Sequence, residues 1–316
     1  MRIANAPCSW GILEFESTSL APSSSRVLDE IAATGYAGTE LGDWNFLPTD
    51  PQRLAGELEA RRLALVGAFV DVALTDRAAH EAGEMAAVRT ARLLADTVRL
   101  KPDTTGEEKQ TSEGKRTYAP VLVLSDATAR SLERTAKAGR ITPADSLTPA
   151  HWDIVAAGAE RIARAVRDAT GLRTAFHHHC ATYVETPDEI DALMQRTSSG
   201  VLGLCLDTGH ATFGGGDPVA LLDRYRERVW HVHFKDCSRA SAARARAEAW
   251  DYVTAVRHGL FCELGQGAVD FAAVRDRLRA SGYDGWIVVE QDVLPSMGTP
   301  AASAERNRRF LADLGL

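Results

Sequence analysis

Short apolar runs that close on polar residues recur along this chain, and helical periodicity fills the stretches between them. Ile3–Cys8, Gly38–Leu41, Leu63–Val70 and Val121–Leu124 read as strands in the first half. Thr174–His177, Gly203–Leu206, Val229–Phe234 and Trp286–Val289 read as strands in the second. Helices are predicted over Ser23–Ala33, Pro51–Arg61, Ala78–Leu100 and Thr148–Ala169, then Asp188–Arg196, Pro218–Arg226, Phe271–Ser281 and Ala302–Leu314. Several carry their own punctuation: Gly35 and Gly171 follow helix ends, and Pro51 and Pro149 sit in first turns.

Eight strand–helix units in this order predict a single-domain α/β fold, a (β/α)8 barrel. A doubly wound open sheet with a cofactor crevice is the weaker alternative. No Gly-rich phosphate cradle follows the first strand, where the sequence is Cys8-Ser-Trp-Gly11. Two stretches interrupt the rhythm. Residues 101–118 are polar and read as a surface insertion. Residues 239–258 are rich in Ala and Arg and are expected to form a helical loop at the barrel mouth, either a solvated helix face or a lid whose arginines meet an anionic substrate.

Composition narrows the function. The chain has 316 residues, 45% hydrophobic and 25% charged, with net charge -7. That is the balance of a soluble domain with a large core, and it argues against a nucleic-acid partner. No run approaches membrane-span length. The five cysteines are scattered (Cys8, Cys180, Cys205, Cys237, Cys262), which suits a reducing cytoplasm better than a disulfide framework. A homo-oligomer is compatible with all of this.

The chemistry sits where the later strands end. Asp207 closes one apolar run and His210 follows three residues on. His231 and His233 alternate, so they share a face. Glu290 follows four apolar residues, a costly place for a carboxylate without a partner. His177, His178 and His179 are consecutive, with His177 and His179 on one side and Glu185 just beyond. A mixed His/Asp/Glu set suits one divalent manganese, zinc, iron or cobalt ion better than calcium. Trp10, Glu14, Glu40 and Trp44 follow the first two strands and could stack on and bind a sugar. Glu263 lies in a Gly-rich loop and either binds substrate or shapes that loop. Lys235 follows the His pair and is a further candidate for substrate binding.

In Ala6-Pro-Cys-Ser-Trp-Gly11, Gly35-Tyr-Ala-Gly-Thr-Glu40, His177–Thr186, Leu206-Asp-Thr-Gly-His210, His231-Val-His-Phe-Lys-Asp236, Leu264-Gly-Gln-Gly267 and Val289-Glu290, taken in order, the chain resembles the xylose isomerase-like TIM-barrel superfamily. The group comprises sugar phosphate isomerases and epimerases, and the His-rich stretch is similar to its inosose dehydratase branch. The resemblance implies one metal ion held by Glu185, Asp207, His233 and Glu290, with His177 or His179 as the alternative to Glu185. It implies a sugar, keto-sugar or inosose as substrate and His210 as a substrate or second-metal contact, which makes Trp10, Glu40, His177, His179, His210, Lys235 and Glu263 the candidates for binding it. Glu185 and Glu290 are the implied proton-transfer groups. Isomerisation or epimerisation is the first expected reaction, dehydration the second, and a sugar-binding barrel without chemistry the third. The superfamily's apurinic-site endonucleases are disfavoured by the acidic charge.

Overall fold

Eight of the apolar runs pair side by side, all in parallel, and close on themselves. The computed structural model describes residues 1–12, 22–99, 119–127, 131–292 and 298–316. The expected insertion at 101–118, together with Glu14, lies outside the described residues. The barrel strands are β1 (Arg2–Asn5), β2 (Gly38–Glu40), β3 (Ala64–Val72), β4 (Val121–Asp126), β5 (Thr174–His177), β6 (Leu202–Asp207), β7 (Val229–Phe234) and β10 (Trp286–Val289). They run round the barrel in the order β1-β10-β7-β6-β5-β4-β3-β2, so β1–β3 face β5–β7 across the mouth. Two short strands, β8 (Asp236–Cys237) and β9 (Phe261–Cys262), pair antiparallel outside it.

The strand alternation explains the runs. Phe176, Leu204, Leu206, Val232, Phe234, Ile287 and Val289 point outward and join the helices in one large core. Burying each such side chain stabilises the fold by about 1.5–3 kcal/mol relative to exposure. The inward positions differ by level. Lower in the barrel they are mostly apolar, with Ala4, Val66, Trp286 and Val288 in one cluster and Val123, Ala175 and Cys205 in another, and His231 buried beside Cys205. At the carboxyl ends they are Glu40, His177, Asp207 and His233, all buried.

The helices follow their predicted punctuation. The α1 helix (Ser24–Ala33) is capped by Ser23, α2 (Pro51–Glu59) by Asp50 and α5 (Pro149–Thr170) by Thr148. The α6 helix (Pro187–Arg196) opens on a capping box in which Thr186 pairs with Glu189. The α3 helix is His80–Arg99, and the chain ends in α11 (Phe271–Ala280) and α12 (Pro300–Asp313). Two short helices lie beyond the predicted set, α4 (Leu132–Lys137) and α7 (Thr208–Phe213), while residues 239–258 hold α9 (Arg239–Ala247) and α10 (Tyr252–Arg257), and α8 (Pro218–Arg224) ends earlier than expected. Six-residue helices leave almost no periodicity to read, and α7 begins in Asp-Thr-Gly, which reads as a turn.

Candidate metal centre

Four side chains from four neighbouring strand ends converge at the mouth: His177, Asp207, His233 and Glu290, with one ligand atom from each within 4.8 Å of the others. His177 Nε2 lies 3.6 Å from Asp207 Oδ2, and His233 Nδ1 lies 4.0 Å from the same oxygen. Glu290 Oε1 is 3.1 Å from His233 Nδ1. Asp207 divides its oxygens between two tasks. Its Oδ1 caps α7 by accepting from the His210 backbone N–H at 2.7 Å, while Oδ2 faces the group. That buried oxygen, both ring nitrogens of His177, and His233 Nδ1 have no hydrogen-bond partner among the described residues. Buried polar atoms without partners are costly, and their convergence here is what a bound cation would relieve.

Glu40 fixes the orientation of His233. Its Oε1 accepts from His231 Nε2 at 2.7 Å and from His233 Nε2 at 3.0 Å. A carboxylate accepts only, so Nε2 of His233 carries a proton and Nδ1 is turned toward Asp207 and Glu290. Burial opposes the charge on Glu40, but His233 and His231 outweigh it and hold the carboxyl far below its ordinary range. Burial likewise opposes a charged His233, yet Cys205, Glu290 and Glu40 raise it well above the usual imidazole range. A proton and a metal ion therefore compete for Nδ1. Burial, followed by His233, pushes His177 well below its ordinary value, which keeps that ring neutral.

The pocket above this group is two-faced. From the β1–β3 side it is lined by Ala6, Pro7, Ile12 and Phe69, with Asp43 and Glu40. From the β5–β10 side it is lined by His179, Lys235, Tyr252, Glu290 and Asp292. Its empty volume is about 580 Å3, open solvent at the mouth included. Lys235 Nζ lies 3.1 Å from Glu290 Oε2, donates to Asp292 Oδ1 at 3.2 Å, and lies 3.3 Å from His210 Nε2. Burial opposes its charge, but Asp292 and Glu290 hold the ammonium well above the ordinary lysine range. Three carboxylates (Asp292, Glu290 and Asp207) thus act on one lysine, and a cation beside them would offset the remaining negative charge.

Residues 28–314 match the xylose isomerase-like TIM barrel family. The chain belongs to that family. It is 31% identical over 306 residues to an inosose dehydratase of Lactiplantibacillus plantarum, covering 97% of this chain and 93% of that relative. It is also 31% identical over 310 residues to an inosose dehydratase of Geobacillus kaustophilus, covering 98% and 93%. Among solved structures, an L-ribulose 3-epimerase superposes with a TM-score of 0.64 at 16% identity, covering 99% of this chain and 94% of that one, a likeness of fold.

Within this family fold, several candidate residues stand elsewhere than the sequence suggests. Glu185 does not join the four-residue group. Its oxygens accept from the backbone N–H of Gly139 at 2.6 Å and of Ala181 at 2.8 Å, beside the buried Arg134–Glu189 ion pair. Burial, resisted by those two bonds, raises it to about 7. Strand β5 ends on His177, so eight further residues carry Glu185 past the mouth. Trp10 closes a 3-10 turn (Pro7–Trp10) and is buried in the core, with Nε1 donating to Glu30 Oε2 at 2.6 Å. Trp44 packs under Arg89, whose guanidinium carbon lies 4.0 Å from the ring centroid. Glu263 accepts from Arg306 Nε at 2.7 Å and from Ser303 at 3.0 Å, tying its loop to α12. The arginines of residues 239–258 do not line the pocket; Arg246, for one, donates to the Gly139 and Phe213 carbonyls. His178 points away, its Nε2 3.3 Å from the Asp207 backbone nitrogen. Asp292, Asp43, Phe69 and Tyr252 were not singled out from the sequence. Asp292 was detectable, since it alternates with Glu290 and so faces the same side.

Among the described residues, no helix is long and apolar enough to cross a membrane, and the five cysteines are free thiols.

Proposed function

We propose that this chain is a divalent-metal-dependent carbon–oxygen lyase that removes water from a cyclic keto-polyol of the inosose (2-keto-myo-inositol) class. His177, Asp207, His233 and Glu290 would hold the ion, with His177 in the place the sequence assigned to Glu185. When bound, a manganese, cobalt, zinc or iron ion supplies Lewis acidity, which polarises a carbonyl and acidifies the neighbouring C–H. The curated relatives named inosose dehydratases, matched over nearly their whole length, support this substrate class.

The observation that carries elimination is the pairing of a proton acceptor and a proton donor on one wall: Glu290 Oε2 and Lys235 Nζ, 3.1 Å apart. Glu290 takes the proton from the carbon beside the carbonyl. The electron pair forms a C=C bond, and the β C–O bond breaks. The departing hydroxyl leaves as water after taking a proton from Lys235, and the enol tautomerises to a diketone. Asp292 holds the Lys235 ammonium in place, and Glu40 orients His233.

A second reading, isomerase or epimerase, rests on Asp43. Epimerisation needs proton-handling groups on opposite faces of the substrate, and Asp43 lines the pocket from the β2 side. Burial and, next, Asp71 raise its carboxyl above the ordinary range. Incubation with 2-keto-myo-inositol, and separately with ketohexoses, in the presence of each metal tests both readings. Loss of water with growth of diketone absorbance is the expected result. Formation of an epimer carrying solvent deuterium, with no water lost, would replace the first reading with the second.

A further inference from the structure

The polar wall of the pocket ends in a residue that no strand supplies. After β7 the chain leaves the barrel through β8, runs through α9 and α10, and returns through β9, where Asp236 pairs with Cys262 and Cys237 with Phe261. Both ends of this excursion are therefore tied together. Asp236 adds to the anchor by accepting from the backbone N–H of Gly265 at 2.9 Å and of Gly267 at 2.8 Å. On its far side Arg140, beyond α4, donates to the Ala245 and Trp250 carbonyls at 3.0 and 2.8 Å. A loop fastened at three places carries a side chain to a defined position, and the side chain it brings to the pocket is Tyr252.

The hydrogen-bond directions at Tyr252 are set by its neighbour. His179 Nδ1 lies 2.6 Å from the Cys180 carbonyl oxygen, so that nitrogen must carry the ring proton. In the neutral ring Nε2 is then an acceptor. Tyr252 Oη lies 3.4 Å from that Nε2, so the phenol O–H donates toward His179, and a phenol oxygen that donates its proton also accepts through its lone pairs. An acceptor at this point suits a ligand hydroxyl and disfavours a phosphate or carboxylate oxygen, which brings no proton. The facing wall of Ala6, Pro7, Ile12 and Phe69 suits the C–H face of a ring.

Resting on the keto-polyol reading above, we propose that Tyr252 is a specificity-determining residue. Its phenol oxygen accepts a hydrogen bond from a substrate hydroxyl away from the reacting carbons, with His179 as the positioning residue that sets its direction. It selects a hydroxyl-bearing, unphosphorylated ring.

The test compares wild type with Tyr252→Phe, which keeps the ring and its packing. Turnover of 2-keto-myo-inositol is measured beside calorimetric binding of myo-inositol and of a panel of monodeoxy-inositols, with the metal loaded. The KM of the variant is expected to rise by about 10-fold with kcat within about 2-fold, as for loss of one uniformly used hydrogen bond. One monodeoxy-inositol should bind wild type about 10-fold more weakly than myo-inositol does, and the variant should not discriminate between the two. Equal KM and equal affinities in both proteins would overturn the assignment, as would a fall in kcat at constant KM. If wild type turns over no inosose but Tyr252→Phe still weakens myo-inositol binding, the lyase reading fails and the Tyr252 assignment stands. If wild type binds neither polyol, both fall.

Discussion

The two halves of the barrel are built alike and finished differently. Strands β1–β4 and strands β5, β6, β7 and β10 use the same parallel pairing and the same outward apolar residues against helices. At the mouth the first half contributes mostly Ala6, Pro7, Ile12 and Phe69, with Glu40 reaching across to His231 and His233. The second half contributes His177, His179, Asp207, His233, Lys235, Glu290 and Asp292. The scaffold thus tolerates either chemistry at a strand end, because the outward face packs the helices and the inward residues below the mouth fill the barrel. The inward end of a strand is left for function.

The sharpest way to break this division is at the ligand group. His177→Ala should lose the bound divalent ion and lower turnover by at least about 100-fold, since even outer-shell partners are worth 10–100-fold in affinity. Elemental analysis of protein purified without chelator, beside Glu185→Gln, decides between the two candidates on the β5 segment. Metal kept in Glu185→Gln and lost in His177→Ala is the expected pattern, and the reverse would restore Glu185 as ligand. Glu40→Gln tests whether the first half acts only by orienting His233. Metal affinity should fall by about 10–100-fold, measured by competition with a chelating dye, and an unchanged affinity would show that the Glu40 contact does not orient a ligand.

Glu185 gives a smaller effect, on stability. Its carboxyl, ordinarily near 4.5, is raised to about 7 in the folded chain. The folded state therefore binds more protons than the unfolded state between those values, and stability falls as pH rises through that window. The loss is roughly 3 kcal/mol at about 1.4 kcal/mol per unit, flat above pH 7. Denaturant melts at pH 5 and pH 8 should therefore show a change in stability that differs between wild type and Glu185→Gln by roughly this amount, since the other titrating groups are common to both. The smallest effect is expected at Glu263, whose partner Arg306 is half exposed. Glu263→Gln should cost less than about 1 kcal/mol and leave KM within about 2-fold. A larger rise in KM would return Glu263 to the substrate site.

Sequence by itself determined the strand order, the barrel and the level at which chemistry enters. Burial on the outward face imposes a two-residue repeat, and a carboxylate or imidazole that interrupts it at a strand end is conspicuous. Asp207, His233 and Glu290 were legible for that reason. Only the tertiary structure decided which group on the β5 segment faces them. The loop after His177 could have turned either way, and it spends Glu185 on the Gly139 and Ala181 backbone instead. The same holds for Trp10, whose place in the core depends on Glu30, twenty residues away along the chain, and for Tyr252, which lies within an Ala/Arg-rich stretch with no local signal. Periodicity records which face of an element is buried. Where a loop side chain comes to rest is set by partners distant in sequence, and so it becomes visible only once the barrel has closed.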